Sequence, residues 1–116
     1  MRKKILAFVA AVACLGLTGC ALGGNVIPLS TALERYGPLP ADYQLYVMNC
    51  IERKLIDPES ATFEFFTPEP REKGWGGEVY VNAKNRFGGY VGRRLWDYLL
   101  VNKDGTVRGG CLPSIW

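Results

Sequence analysis

The first twenty residues constrain this chain more than anything after them, because they decide how much of it is left to fold. Met1-Arg2-Lys3-Lys4 is a basic end, and the run from Ile5 to Leu17 is apolar except for Gly16. A helix needs roughly 20 apolar residues to span a bilayer, and this run falls well short. A basic start, a short apolar stretch and small residues at its end describe a secretory signal peptide. The stretch closes on Leu17-Thr18-Gly19-Cys20. Cleavage before Cys20 leaves 97 residues, through Trp116. That is enough for one small domain and no more.

Leu17-Thr18-Gly19-Cys20 resembles the bacterial lipobox: an aliphatic residue, two small ones, then the cysteine that takes a diacylglycerol. The resemblance implies a thioether lipid and an amide-linked acyl chain on Cys20, of the palmitate type, and two or more chains make a stable membrane anchor. The alternative is an ordinary leader cut nearby, with Cys20 a plain thiol. Ala21 follows Cys20 where an aspartate would hold such a protein back. By resemblance to enterobacterial lipoproteins, this implies the outer membrane, with the domain facing the periplasm. Residues 1–19 are therefore expected as a lipoprotein signal peptide. Of the 14 basic residues in the chain, Arg2, Lys3 and Lys4 leave with it, so 11 remain against 11 acidic ones. A neutral domain gives neither nucleic acid nor an anionic membrane surface a reason to bind by charge.

Residues 20–41 hold three glycines and three prolines with no sustained period, and are expected as a tether with Leu33, Tyr36 and Leu39 able to touch the domain edge. The domain proper is expected over 42–116. Pro40 and Asp42 announce a helix, and Tyr43, Val47, Cys50, Ile51 and Leu55 form one apolar stripe along it until Pro58 disfavours helical geometry at Asp57. Beyond it the period changes to two. Residues 61–67 read as a strand with Ala61, Phe63 and Phe65 on one face, 68–77 as a loop, and 78–83 as a second strand. Residues 84–89 are turn chemistry, 90–101 a longer strand bent at Gly92, and 106–111 the last strand after an Asp104-Gly105 hairpin signal. The fold class is α+β: one helix packed on an antiparallel sheet of about four strands.

Cys14 leaves with the leader and Cys20 carries lipid, so Cys50 and Cys111 remain. An oxidising compartment favours a disulfide between them, and closing that ring would stabilise by about 4 kcal/mol on the chain-entropy model. Two free thiols or a metal pair is the competing reading. The chain has no histidine, so a Cys/His zinc set cannot be completed and no metal site is expected. Without histidine, the commonest general base and the Ser-His and Cys-His nucleophile pairs are missing as well. Glu64 and Glu78 could face each other across strands for acid/base work, but two solvated carboxylates on the outer face of a sheet is the reading preferred for them. Neither a phosphate loop nor a calcium loop occurs. No cofactor, catalytic residue or enzymatic activity is expected.

The most distinctive stretch is Val81-Asn82-Ala83-Lys84-Asn85-Arg86-Phe87-Gly88-Gly89-Tyr90-Val91-Gly92. With Asp57-Pro58-Glu59-Ser60-Ala61, it resembles a group of small exported bacterial proteins, often lipoproteins, known by sequence rather than by activity. That resemblance spans residues 42–111; it implies a common fold and transfers no function. A second comparison is with the small lipoprotein of the outer-membrane barrel-assembly machine, similar in size and anchoring. That family begins with two helices, whereas one is read here. Gly88 and Gly89 suit a chain reversal, and Asn82 and Asn85 suit local backbone hydrogen bonds. The functional expectation for the same stretch is a binding surface of Asn82, Lys84, Asn85, Phe87 and Tyr90, joined by Trp75, which alternatively lids the sheet edge. Arg93 and Arg94 are expected as strand-edge charges. The chain reads as an envelope protein that binds or scaffolds another envelope protein. The alternatives are a glycan-binding or hydrolase-inhibitor module, with peptidoglycan as ligand, and a small enzyme.

Overall fold

A computed structural model describes residues 3–6, 23–103 and 106–114. Cys20 with the rest of the lipobox, and the Asp104-Gly105 pair of the expected hairpin, lie outside the described residues. The elements in chain order are β1 (Lys3–Leu6), α1 (Leu29–Tyr36), α2 (Tyr43–Glu52), β2 (Asp57–Phe66), β3 (Glu69–Arg71), β4 (Gly74–Lys84), β5 (Arg94–Lys103) and β6 (Thr106–Pro113). Among the described residues no helix is long and apolar enough to cross a membrane.

The sheet runs β1-β2-β4-β5-β6, with β3 beside the start of β4 on the side that β2 takes further along. Every pairing is antiparallel except that of β1, which lies parallel to β2. Residues of β1 belong to the expected leader, and a chain processed at Cys20 would have β2 as its edge strand. Alternation sorts β4 as anticipated. Val79, Val81 and Ala83 are buried under the helices, while Glu78, Tyr80, Asn82 and Lys84 look out of the other face. Phe63 and Phe65 of β2, and Trp96, Tyr98 and Leu100 of β5, complete the covered face. Val47, Met48 and Ile51 of α2 are buried against it, which is the stripe read from the sequence with Met48 added.

Cys50 and Cys111 are joined, so the disulfide fastens α2 to β6. Lys54 adds a second link beside it, its ammonium donating to the Cys111 carbonyl at 2.8 Å. After Glu52 the backbone tightens to bonds three residues back, Lys54 N–H donating to the Ile51 carbonyl at 2.8 Å and Leu55 N–H to the Glu52 carbonyl at 3.2 Å, so α2 has ten residues and stops earlier than the apolar pattern suggested.

Two expectations need correction. Among the described residues there are two helices, not one, because the segment expected as a tether contains α1. Ala32 and Tyr36, one turn apart, are buried, and two buried side chains in eight residues give too short a period to read between prolines. The expected loop over 68–77 is instead the β3–β4 hairpin, and α1 sits on it. The Tyr36 hydroxyl donates to the Arg71 carbonyl at 2.6 Å, and the Trp75 indole donates to the Gly37 carbonyl at 3.0 Å. Upstream of α1 the chain is also fixed to this hairpin. Ile27 N–H donates to the Pro70 carbonyl, and the N–H groups of Glu72 and Lys73 donate to the Asn25 and Gly23 carbonyls, all at 2.9–3.0 Å.

Candidate binding surface

The β4–β5 connection, residues 85–93, is longer than the turn read from the sequence, because β5 begins at Arg94 and not at Tyr90. It is also ordered by its own polar groups. Asn85 N–H donates to the Gly89 carbonyl at 2.9 Å, and Gly88 N–H donates back to the Asn85 carbonyl at 3.0 Å. The Asn85 side-chain oxygen accepts from Phe87 N–H at 2.8 Å and from Gly89 N–H at 3.3 Å. Gly88 takes φ +85°, which an L side chain rarely adopts. Gly89 has no such requirement, so the reversal depends on Gly88 rather than on both.

The two sequence motifs meet here through Ser60. Its hydroxyl donates to the Asp57 carbonyl and accepts from Lys84 N–H, both at 2.8 Å, while the Tyr90 hydroxyl donates to the Ser60 carbonyl at 3.0 Å. The pairing of β2 with β4 slips between Asp57 and Thr62, and the Ser60 hydroxyl receives a backbone donor that the regular ladder would otherwise have satisfied. Asp-Pro-x-Ser-Ala and the Asn-Ala-Lys-Asn stretch thus form one structural unit.

On this frame Lys84, Asn85, Phe87 and Tyr90 lie together, as expected. Phe87 is 88 % exposed and Tyr90 53 %. The Lys84 ammonium lies 5.5 Å from the centre of the Tyr90 ring. Asn82 is two residues back on the outer face, its side-chain oxygen buried with no hydrogen-bond partner. Trp75 does not join them. It lies at the opposite end of β4, 7 % exposed, edge-on to Tyr36 at 6.4 Å between ring centres. Trp75 is a core residue that holds α1.

A groove opens beside the loop, with a volume of about 420 Å³. Val81, Ala83 and Trp96 line it from the core side, and Ile56 and Val91, both more than half exposed, stand at its rim. Lys54, Lys84 and Arg94 also line it, the Lys84 ammonium turned to the Tyr90 ring on the outer face, and among the described residues no carboxylate lines it. Sequence reasoning missed Lys54, Ile56, Arg94 and Trp96 because two stretches far apart in the chain, the α2–β2 connection and β5, contribute them. The signal available was the pairing of an apolar Ile56 with the end of an amphipathic helix.

Arg93 turns the other way, its guanidinium 2.7 Å from Glu64 and 4.5 Å from the centre of the Tyr80 ring. Glu64 therefore faces Tyr80 and is committed to Arg93; it does not face Glu78. The carboxylate opposite Glu78 is Asp97. Burial, with Asp97 close by, pushes the Glu78 carboxyl above its ordinary range, and burial does the same to Asp97 against the hydrogen bond from Ser114. This pair is the nearest thing to an acid/base site, but it lies on the face of the sheet and not in the groove. Among the described residues, no group of three or more Cys, Asp or Glu side chains is placed to hold a metal ion. Compared with known proteins, the chain matches no family model, no curated protein sequence and no solved structure.

Proposed function

We propose that this chain is a lipid-anchored bacterial envelope protein, held to the outer membrane through Cys20, that binds another envelope protein with its β4–β5 loop. One observation carries the reading: Phe87 is 88 % exposed on a loop whose backbone is tied down by Asn85. A rigid loop that holds an aromatic ring in water gains nothing in folding from that ring. Aromatic residues presented without ordering entropy are what protein contact surfaces use. The glycan-binding alternative is weaker, because the Asn85 side-chain oxygen that would meet sugar hydroxyls already accepts two backbone donors. With no solved structure matching, the resemblance to the small lipoprotein of the barrel-assembly machine carries no part of this reading.

In-cell crosslinking of the anchored protein, read by mass spectrometry, tests the reading. One stoichiometric envelope protein is expected. Lys84→Ala combined with Phe87→Ala should leave thermal unfolding nearly unchanged, within the roughly 0.5 kcal/mol usual for surface changes, and abolish the adduct. A stable double variant that crosslinks normally overturns it. The address has its own test: metabolic palmitate should label the protein, and Cys20→Ala should remove the label.

A further inference from the structure

We propose that the partner adds an extended segment to the edge of β2, parallel to it and beside the β4–β5 loop, in the place that the chain's own residues Lys3–Leu6 hold before processing. This rests on the binding function above and adds the mode of docking and the partner's chemistry: a strand with apolar residues in register with Phe65 and Phe66. The seat is already filled in the unprocessed chain. There β1 pairs in parallel with β2, Lys3 beside Phe63, Lys4 beside Glu64, Ile5 beside Phe65 and Leu6 beside Phe66. Cleavage before Cys20 takes that strand away.

The ladder shows which backbone groups the cleavage uncovers. Ser114 N–H donates to the Leu95 carbonyl, so Leu95 turns its backbone groups to β6. By alternation Trp96 turns its own to β4, and Val79, opposite Trp96, is bonded to β5. Phe65, opposite Val79 on the other side, therefore turns its N–H and C=O away from β4 to the edge, and Phe63 does the same opposite Val81. The stretch Phe63-Glu64-Phe65-Phe66 holds neither proline nor lysine, the residues that commonly guard an edge, and its one charge, Glu64, is committed to Arg93. Free backbone groups on so apolar a strand are a template for another strand, with main-chain bonds giving affinity and neighbouring side chains giving specificity. This edge is also continuous with the loop. The Tyr90 hydroxyl is bonded to the Ser60 carbonyl, three residues before Phe63, and Arg93 holds Glu64, between the two free positions. A partner seated on the loop has β2 beside it.

Amide exchange tests the edge, and crosslinking tests its occupant. In the Cys20→Ala chain, checked by mass to keep its leader, the amides of Phe63 and Phe65 should exchange slowly. In the lipidated mature chain, held in phospholipid nanodiscs, they should exchange quickly while Val79 and Tyr98 stay protected. A synthetic peptide of residues 1–8, added at about the millimolar concentration that a tether supplies in the intact chain, should restore protection at those two amides. In cells, benzoyl-phenylalanine in place of Thr62, exposed on β2, should capture the same protein as benzoyl-phenylalanine in place of Phe87. Fast exchange in the chain that keeps its leader overturns the inference, as does a peptide that restores nothing. Slow exchange in the dilute mature chain overturns it too, and protection that grows with the chain's own concentration does so by putting a second copy on the edge. An adduct from Phe87 without one from Thr62 leaves the partner on the loop and removes strand addition. No adduct from either position removes the binding function itself, and strand addition with it.

Discussion

Ser60 does more for this fold than its size suggests. Its hydroxyl closes the gap where β2 slips against β4, and its carbonyl holds Tyr90. Ser60→Ala removes the acceptor for Lys84 N–H at a partly buried site and leaves that donor without its bond. An unsatisfied group of this kind costs about 1–3 kcal/mol, and the value here should fall in the lower half because the site is near water. Urea unfolding checks the magnitude. Amide exchange checks the mechanism, since Lys84 and Asn85 should lose protection while Val79 and Tyr98 keep theirs. Uniform loss across the sheet would mean that Ser60 acts through the core instead. The same residue explains why two motifs stand 20-odd positions apart in the sequence (Asp57–Ala61 and Val81–Gly92): they are the two halves of one hydrogen-bonded corner.

At the scale of elements, register produces a feature that no local pattern reveals. The β4–β5 connection sets Glu78 directly opposite Asp97, two half-buried carboxylates on neighbouring strands. Burial pushes both carboxyls above their ordinary range, and the neighbouring Asp97 adds to the shift at Glu78. A raised carboxyl pKa means that the folded state binds more protons than the unfolded one between the ordinary and the raised value. Stability therefore rises as pH falls from neutral through that window, and the gain is lost as pH climbs back through it. Glu78→Gln should raise stability at neutral pH by roughly 0.5–1 kcal/mol and flatten the rise in stability as pH falls toward the ordinary carboxylate range. A variant that keeps the full pH response would place its origin elsewhere. Other elements were legible: α2 by its apolar stripe, and β2, β4 and β5 by alternation. What stayed hidden shares a cause. The helix α1 and the strand β3 are short and hold few buried side chains, so their placement comes from partners distant in sequence. The loop residues Lys84, Asn85, Phe87 and Tyr90 could be found because they are contiguous. The groove could not, because Lys54, Arg94 and Trp96 converge only after folding.

At the scale of the whole molecule, two independent fastenings hold the helices over the sheet. At the hairpin end α1 is fixed by Tyr36 and Trp75 to backbone carbonyls. Farther along, α2 is fixed by the disulfide and by Lys54 to β6. These fastenings differ in what they support. The strand β4 is flanked on both sides, but β6 is paired on one side only, to β5, and carries Gly109 and Gly110. Glycines in a strand bring no side chain to the core and lose more backbone entropy on folding. The staple to α2 therefore supports an edge strand in which two of eight positions bring no side chain to the core. Cys50→Ser should destabilise the mature domain by about 2–5 kcal/mol, a large share of the roughly 5–10 expected for a domain of this size. The loss should not be uniform. Amides of α2 and β6 should exchange by local opening well below the global unfolding free energy, while those of α1 and the β3–β4 hairpin follow global unfolding. Because Lys54 and Pro113 line the groove from α2's end and from β6, the variant should also lose the groove before it loses the fold. Amides around the groove would then lose protection in a Cys50→Ser protein that still shows a cooperative unfolding transition. If protection falls equally at both ends, the two fastenings are one cooperative unit and the division drawn here is wrong.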